Sequence, residues 1–110
     1  MANKYLRKQH IAVATTAHTL YTVPAANTAI LNSLRVTNAN SADATITVIT
    51  YPLGGSIGYH LLRDNFLPVN ATLDVFSGVP CVLEATDGLE VESSESGVVF
   101  HLSYLEVDRN

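Results

Sequence analysis

Apolar and polar side chains alternate with a period of two over most of the chain. In the segment 44–51, for example, Ile46 and Val48 alternate with Thr45 and Thr47. β-Branched residues dominate these runs, as they do in pleated strands with one buried face. Turn-forming residues recur roughly every 8–12 positions, which is the spacing typical of an antiparallel sandwich or small barrel.

This pattern predicts an all-β fold, an antiparallel, jelly-roll-like β-sandwich of eight or nine short strands. The connections are too short for the helical crossovers that join parallel strands, which excludes a Rossmann-like fold. At most one short helix is predicted, and its one candidate position follows Asn3, whose side chain could cap residues 4–9. The predicted strands are Gln9–Thr15, Thr19–Val23, Thr28–Asn38, Ala44–Tyr51, Ile57–Arg63, Thr72–Ser77, Cys81–Ala85, Leu89–Ser93 and Val98–Val107.

The last predicted strand carries apolar residues on both faces. Val98 and Phe100 lie on one face, and Val99 and Leu105 lie on the other. A strand of this kind needs cover on both sides. Either it is a central strand within the chain, or a neighbouring subunit covers its second face, and the second case predicts a homo-oligomer.

Composition predicts one globular domain. The chain has 110 residues, of which 47% are hydrophobic and 15% charged, so disorder is not expected. We predict an N-terminal basic arm at residues 1–10 and a single β-sandwich domain at residues 11–110. No segment approaches the ~20 apolar residues of a membrane span, so no membrane partner is predicted. Cys81 has no partner for an intrachain disulfide, which favours folding in a reducing compartment.

Charge is unevenly distributed along the chain. Six Lys and Arg residues stand against ten Asp and Glu, giving a net charge of −4, and most acidic residues lie in the last third. An acidic body repels polyanions, so no nucleic-acid partner is predicted. The basic arm is predicted to bind a partner through cations and two apolar side chains, or else to be a solvated terminus. The predicted partner-binding residues are Lys4, Tyr5, Leu6, Arg7 and Lys8.

No local motif indicates catalysis, a metal site or a cofactor. The four histidines lack the spacing of zinc ligands. An acidic run suggests calcium, but a solvated strand face with polar residues opposite Leu89 and Val91 explains it better. Gly54-Gly55 joins two strands and is interpreted as a hairpin connection. The histidines are His10, His18, His60 and His101, and the acidic run is Asp87, Glu90, Glu92 and Glu95.

The segment Leu20–Asn38 resembles small β-sandwich structural proteins of tailed bacteriophages. It contains a Leu-Tyr-Thr-Val-Pro-Ala phrase, then a Thr-led strand that ends at an Asn-rich turn. Segments 67–73, 82–91 and 97–99 fit the same template, so the resemblance covers about Thr19 to Val107. It implies a non-enzymatic virion protein, assembled in the host cytoplasm. The type implied first is a capsid decoration or cement protein that binds the major capsid protein and stabilises the shell. Such proteins often sit on capsid three-fold axes, which implies a trimer.

Two alternatives stay open at this point. The first is a neck or tail protein of the virion. The second is a carbohydrate-binding, lectin-like module, since such sandwiches stack sugars on exposed aromatic rings. The chain has no tryptophan, and its five tyrosines are dispersed along the sequence, which weakens the lectin interpretation.

Overall fold

The structure, a computed structural model, describes residues 3–52 and 58–108. Within these ranges the chain forms nine β-strands and contains no α-helix. The strands are β1 (Asn3–Ile11), β2 (His18–Thr22), β3 (Asn27–Asn38), β4 (Ala44–Tyr51), β5 (Tyr59–Leu67), β6 (Thr72–Asp74), β7 (Cys81–Leu83), β8 (Gly88–Ser93) and β9 (Val98–Asp108).

These strands form two antiparallel sheets. The larger, five-stranded sheet has the order β1-β9-β3-β6, and β7 also pairs with β3. The smaller, four-stranded sheet has the order β2-β8-β4-β5. When β6 and β7 are taken as one interrupted strand beside β3, the two sheets have the connectivity of a jelly roll. The predicted antiparallel β-sandwich is confirmed.

The core lies between the two sheets and is built from alternate residues of each strand. Phe100 and Leu102 of β9 and Leu89 of β8 are fully buried there. Burying one such side chain stabilises the fold by about 1.5–3 kcal/mol. Because β9 lies between β1 and β3, it is a central strand, the first of the two arrangements expected for it. Its other face is only partly covered.

A β-bulge in β3 keeps its side chains on the correct faces. The register with β9 shifts between Leu31 and Ser33, so Asn32 is an extra residue on β3. Leu31 and Leu34 are therefore both fully buried although they are three positions apart. Beyond the bulge, the exposed side chain of Arg35 lies on the side of the larger sheet away from the core, its outer face.

Asn38 is a buried polar residue that ties two loops to the end of β3. Its Nδ2 donates hydrogen bonds to the carbonyls of Ala42, at 2.9 Å, and Leu67, at 3.1 Å. Its Oδ1 accepts one from the backbone N–H of Asn40 at 3.0 Å, and its own N–H donates to the carbonyl of Ala71 at 3.0 Å. Every polar atom of this side chain is paired, so its burial is compensated.

A strand occupies the one candidate position for a helix. Residues 3–11 form β1, which pairs antiparallel with β9 along its whole length. The first predicted strand, Gln9–Thr15, is therefore placed too far along the chain. The ladder with β9 gives the backbone a long set of partners, whereas a helix of two turns leaves most of its end groups unsatisfied.

The end of β5 also differs from the prediction. A strand was expected over Ile57–Arg63, but β5 runs over Tyr59–Leu67. The residues that follow the predicted end of the strand, Asp64 and Asn65, belong to a bulge inside β5, with Asp64 at a positive φ of 46°. The predicted Gly54-Gly55 connection lies outside the described residues, although the flanking strands β4 and β5 do pair antiparallel.

Candidate functional site

All five residues predicted to bind a partner lie on edge strand β1, and all are exposed. Tyr5 and Arg7 point to the outer face of the larger sheet. Lys4, Leu6 and Lys8 point to the opposite side, because they alternate with Tyr5 and Arg7. Tyr5 is 80% exposed. An edge strand that is open on both faces can contact another molecule through side chains and backbone alike.

Side-chain contacts add to the backbone ladder that holds β1. The rings of His10 and His18 stack with their centroids 3.7 Å apart and an interplanar angle of 6°. His18 begins β2, so this contact joins the two sheets. Burial, together with the charge of His18, lowers the pKa of His10 below its ordinary value. On the outer face, Nε2 of Gln9 donates to Nδ1 of His101 at 3.1 Å.

Four apolar side chains lie in one row across the outer face of the larger sheet. Tyr5 of β1 pairs with Leu105 of β9. Leu105 also pairs with Ile30 of β3, and Ile30 pairs with Val82 of β7. Val82 is 59% exposed, and Leu105 and Ile30 are partly exposed. This apolar row crosses four strands, a span of about 14 Å.

A second, shorter apolar segment lies nearer the other end of the same face. Ile11, which is 65% exposed, pairs with Val99, and Val99 pairs with Thr37. The hydroxyl groups of Thr37 and Thr72 share a hydrogen bond of 3.1 Å. The outer face therefore has apolar groups toward both ends.

Between these two segments the outer face is cationic. Arg7 and Arg35 are exposed, and neither forms an ion pair with a residue in the described ranges. His101 pairs in register with Arg35. Asp74 pairs with Arg35 on the other side, but its Oδ1 accepts the backbone N–H of Phe76 at 3.2 Å. A shallow depression of about 370 Å³ in this region is lined by Ser33, Arg35, Thr37, Val99, His101 and Ser103.

The outer face of the smaller sheet is anionic. Glu90 and Glu92 share this face on β8, as the alternation predicted. Asp64 of β5 lies on the same face, where its Oδ1 accepts a hydrogen bond of 3.4 Å from Oγ1 of Thr47. Phe66 adds an aromatic ring that is 60% exposed. The two outer faces of the sandwich thus carry charges of opposite sign.

One end of the smaller sheet holds a pocket of about 250 Å³. The hydroxyl of Tyr51 donates to Oε1 of Glu90 at 3.4 Å beside it. Thr86 in the adjoining turn has a positive φ of 67°, a region that β-branched residues rarely adopt. The polar groups around the pocket come from Thr19, Thr22, Tyr51, Thr86 and Glu90.

The residues weighed as metal ligands do not converge. Within residues 3–52 and 58–108, no three His, Cys, Asp or Glu side chains form a group that could hold a metal ion. In the acidic run, Asp87 accepts the backbone N–H of Glu84 at 2.9 Å, and Glu95 accepts from Nδ2 of Asn40 at 3.4 Å. Burial raises the pKa of the Cys81 thiol, which disfavours the reactive thiolate.

In the described part of the chain, no helix is long and apolar enough to cross a membrane.

Sequence reasoning missed the apolar row and the stacked histidines. Both depend on which strands pair and in what register, and residues such as Tyr5 and Leu105 are far apart in sequence. The one available signal was the surplus apolar face of the last strand, which supplies Leu105 and Val99 to the two apolar segments.

Fold and site together define a jelly-roll sandwich whose candidate functional surfaces are two oppositely charged sheet faces and an exposed edge strand. No protein-family model matches the sequence, and no curated protein matches it significantly.

Solved structures share the fold. A chain of the T13 particle of infectious bursal disease virus (IBDV) matches with a TM-score of 0.59 and 11% identity over 96% of this chain, which spans 31% of that chain. A Bacillus endospore appendage, one of a family of disulfide-linked pili, matches with a TM-score of 0.59 and 11% identity, covering 99% of this chain and 88% of that one. A pentameric capsid protein from metagenomic phage sequences has 19% identity over 93% of this chain and 63% of its own, with a TM-score of 0.42.

Proposed function

We propose that this chain is a structural protein of a bacteriophage virion, and that it acts as a capsid decoration or cement protein bound to the major capsid protein. The observation that carries the proposal is edge strand β1, on which Lys4, Tyr5, Leu6, Arg7 and Lys8 are all exposed. β1 stands at the end of the sheet order, so one of its edges has no partner strand among the described residues. Cations beside apolar side chains on an unpaired edge are suited to a contact with another protein. The fold shared with a chain of the IBDV particle supports a virion setting.

In this proposal, residues 1–10 form the attachment segment and residues 11–110 form the rest of the body. Residues 3–10 of this segment lie in edge strand β1 of the sandwich and are not a separate arm. Lys4 and Lys8 lie on the side of β1 away from the outer face, where they are free to meet carboxylates of a capsid subunit. Tyr5 and Leu6 supply apolar contact. Exposed ion pairs contribute only about 0.2–1 kcal/mol each, so firm attachment needs several copies acting together. A homo-oligomer, first of all a trimer, provides those copies.

Binding to particles tests this function. Purified protein is mixed with phage capsids that lack it, and co-sedimentation is measured for the wild type and for the double variant Lys4→Glu/Lys8→Glu. We expect the wild type to sediment with the capsids and the variant to bind more weakly, with a smaller dependence on salt. Arg63→Glu, a change of the same sign on the bulge of β5, is the control and should bind like the wild type.

The position on the virion is read by electron microscopy of labelled particles. Label on the shell supports a decoration protein, whereas label at the neck or tail assigns the chain to those parts instead. Absence of the protein from every part of the particle overturns the virion proposal.

Carbohydrate binding is a second candidate, favoured by the pocket beside Tyr51. A phenol ring, the Glu90 carboxylate and threonine hydroxyls surround about 250 Å³ there, and groups of this kind hydrogen-bond and stack on sugars. A glycan array separates the two functions. Binding that Glu90→Gln abolishes while capsid binding stays intact assigns the pocket to sugars, and an array without signal removes this candidate.

A further inference from the structure

We infer that copies of this chain associate front to back, with the outer face of the larger sheet of one copy packed on the outer face of the smaller sheet of the next. This rests on the proposed function in taking the chain as an assembling subunit, and it names the partner as a second copy of the chain.

Charge selects this arrangement over the others. The larger sheet presents Arg7 and Arg35 against one carboxylate, Asp74 beside Arg35. The smaller sheet presents Glu90 and Glu92. Two larger-sheet faces placed together would therefore bring together an excess of positive charge, and two smaller-sheet faces an excess of negative charge. Like charges in contact cost free energy, whereas opposite faces attract and fix their register.

The apolar groups of the two faces are also complementary. The apolar row on the larger sheet ends in Tyr5 and Val82, both more than half exposed. The smaller sheet offers Phe66, 60% exposed, and the partly exposed Ile49. Removing these groups from water supplies affinity, while the charges supply orientation.

The faces are large enough for a stable contact. The chain measures 46 × 27 × 20 Å along its principal axes, so each sheet face offers on the order of 1,000 Å². A standard interface buries about 800 Å² on each partner. One sheet face is therefore sufficient, and no rearrangement of the fold is needed.

Front-to-back packing has a consequence for symmetry. Each copy uses two different patches, so the contact is heterologous and leaves one patch of each kind free after the first pairing. The two faces lie on opposite sides of the sandwich, so repeated pairing stacks the copies along one direction and continues as a filament, and it cannot form a two-fold dimer. A closed trimer would require a contact other than this one.

The test reverses the charge of each face as a whole. One variant carries Arg7→Glu/Arg35→Glu, and the other carries Glu90→Lys/Glu92→Lys. The controls change charge away from both faces: Lys4→Glu/Lys8→Glu on the opposite side of β1, and Asp43→Lys in the loop between β3 and β4. Light scattering coupled to size exclusion gives the mass of each protein, and circular dichroism checks that each is folded.

We expect the wild type and the controls to exceed the 11.8 kDa of one chain. Each reversed variant alone should shift to the single-chain mass, with a dissociation constant raised about tenfold or more. Mixing the two variants should restore association, because the reversed faces match each other and the unreversed faces also match. If a reversed variant does not fold, wild-type association must still weaken when salt is raised from about 0.1 to 1 M.

Three results overturn the inference. The first is a wild type that stays at the single-chain mass, and the second is an assembly that only one of the two reversals affects, since that indicates a symmetric contact. The third is a mixture that does not reassociate. None of these results decides the virion function, which is measured by capsid binding. Conversely, if the protein assembles front to back but does not bind capsids, only the cement role is rejected.

Discussion

The hydroxyl of Tyr21 donates a 2.6 Å hydrogen bond to Oε2 of Glu106, and this bond joins the two sheets. Tyr21 lies on β2 of the smaller sheet and is 5% exposed, while Glu106 lies on β9 of the larger sheet. The ring of Tyr21 also packs on Tyr104, with the centroids 4.3 Å apart. Burial and the Glu106 carboxylate hold the pKa of Tyr21 well above its usual range, so the hydroxyl remains a donor.

Removing this hydroxyl tests how much the bond contributes. Tyr21→Phe should lower the free energy of unfolding by about 1–3 kcal/mol, because a hydrogen bond to a charged acceptor is lost at a largely buried site. Urea denaturation measures the change. Tyr51→Phe is the matched control, since its bond to Glu90 is long, at 3.4 Å, and joins two partly exposed residues, and it should change stability by less than about 0.5 kcal/mol. Equal losses of unfolding free energy in the two variants would contradict the stabilising role assigned to the Tyr21–Glu106 bond.

Substitution of Asn38 is expected to lower the stability more than substitution of Tyr21 does. Asn38→Ala leaves the carbonyls of Ala42 and Leu67 without the donor that now satisfies them. We expect a loss of about 2–4 kcal/mol, seen as a lower denaturation midpoint. Asn65→Ala removes only a 3.3 Å bond to the carbonyl of the next residue and should have little effect. A stable, unchanged Asn38→Ala variant would show that the loops are held by other contacts.

Replacing Thr86 by glycine should increase the stability of the fold. Its φ of 67° places a β-branched residue in the left-handed region, which costs roughly 1–2 kcal/mol and costs glycine almost nothing. Thr86→Gly should therefore raise the melting temperature, with a gain of about 1 kcal/mol after the larger chain entropy of unfolded glycine is included. Thr16→Gly is the control, since Thr16 has no positive φ and should lose stability. A lower melting temperature for Thr86→Gly would refute this account.

Lowering the pH should weaken the attachment of β1 to the rest of the sandwich. The pKa of His10 in the folded chain is below its ordinary value of 6.5, so between these two pKa values the unfolded or detached strand binds more protons than the folded one. Stability from this contact is therefore complete above pH 6.5 and falls as the pH drops through the folded pKa. Hydrogen exchange of the β1 amides, corrected for intrinsic rates, should quicken below pH 6.5.

The control for this effect is His18→Asn. It removes the neighbouring charge, so the pH dependence of β1 exchange should become smaller. Exchange in β4, which is distant from the histidine pair in the sheet order, should not change with the variant. Identical pH profiles for β1 in the wild type and in His18→Asn would rule out the stacked pair as the cause.

Sequence periodicity predicted the strands whose own residues determine their state. The segment Ala44–Tyr51 was expected and found with the same bounds, because β-branched residues alternate between core and surface along it. The strand Asn3–Ile11 could not be found in this way, since it is exposed on both faces and has no apolar alternation. Its conformation comes from pairing with β9, some ninety positions away.

The same limit applied to the surfaces. The basic residues near the N-terminus could be recognised in the sequence. That Arg35 shares a face with Arg7 could be recognised only from the strand register. The end of β5 was predicted too early, at Arg63, because the residue types at the Asp64 bulge also favour turns. Charged and turn-forming residues can thus be identified from the local sequence. The residues that share a surface can be identified only when the pairing of the strands is known.

The central position of β9 has a consequence for how the protein is made. Of the nine strands, β9 leaves the ribosome last, yet β1 and β3 reach each other in the larger sheet only through it. Until β9 has been synthesised, nothing pairs with the edges of β1 and β3 that it will join. The core face of the smaller sheet is also uncovered. Pairings this distant in sequence are slow, and unpaired edges invite association. The larger sheet is therefore completed only after synthesis of residues 98–108, and a nascent chain stalled before them should recruit chaperones.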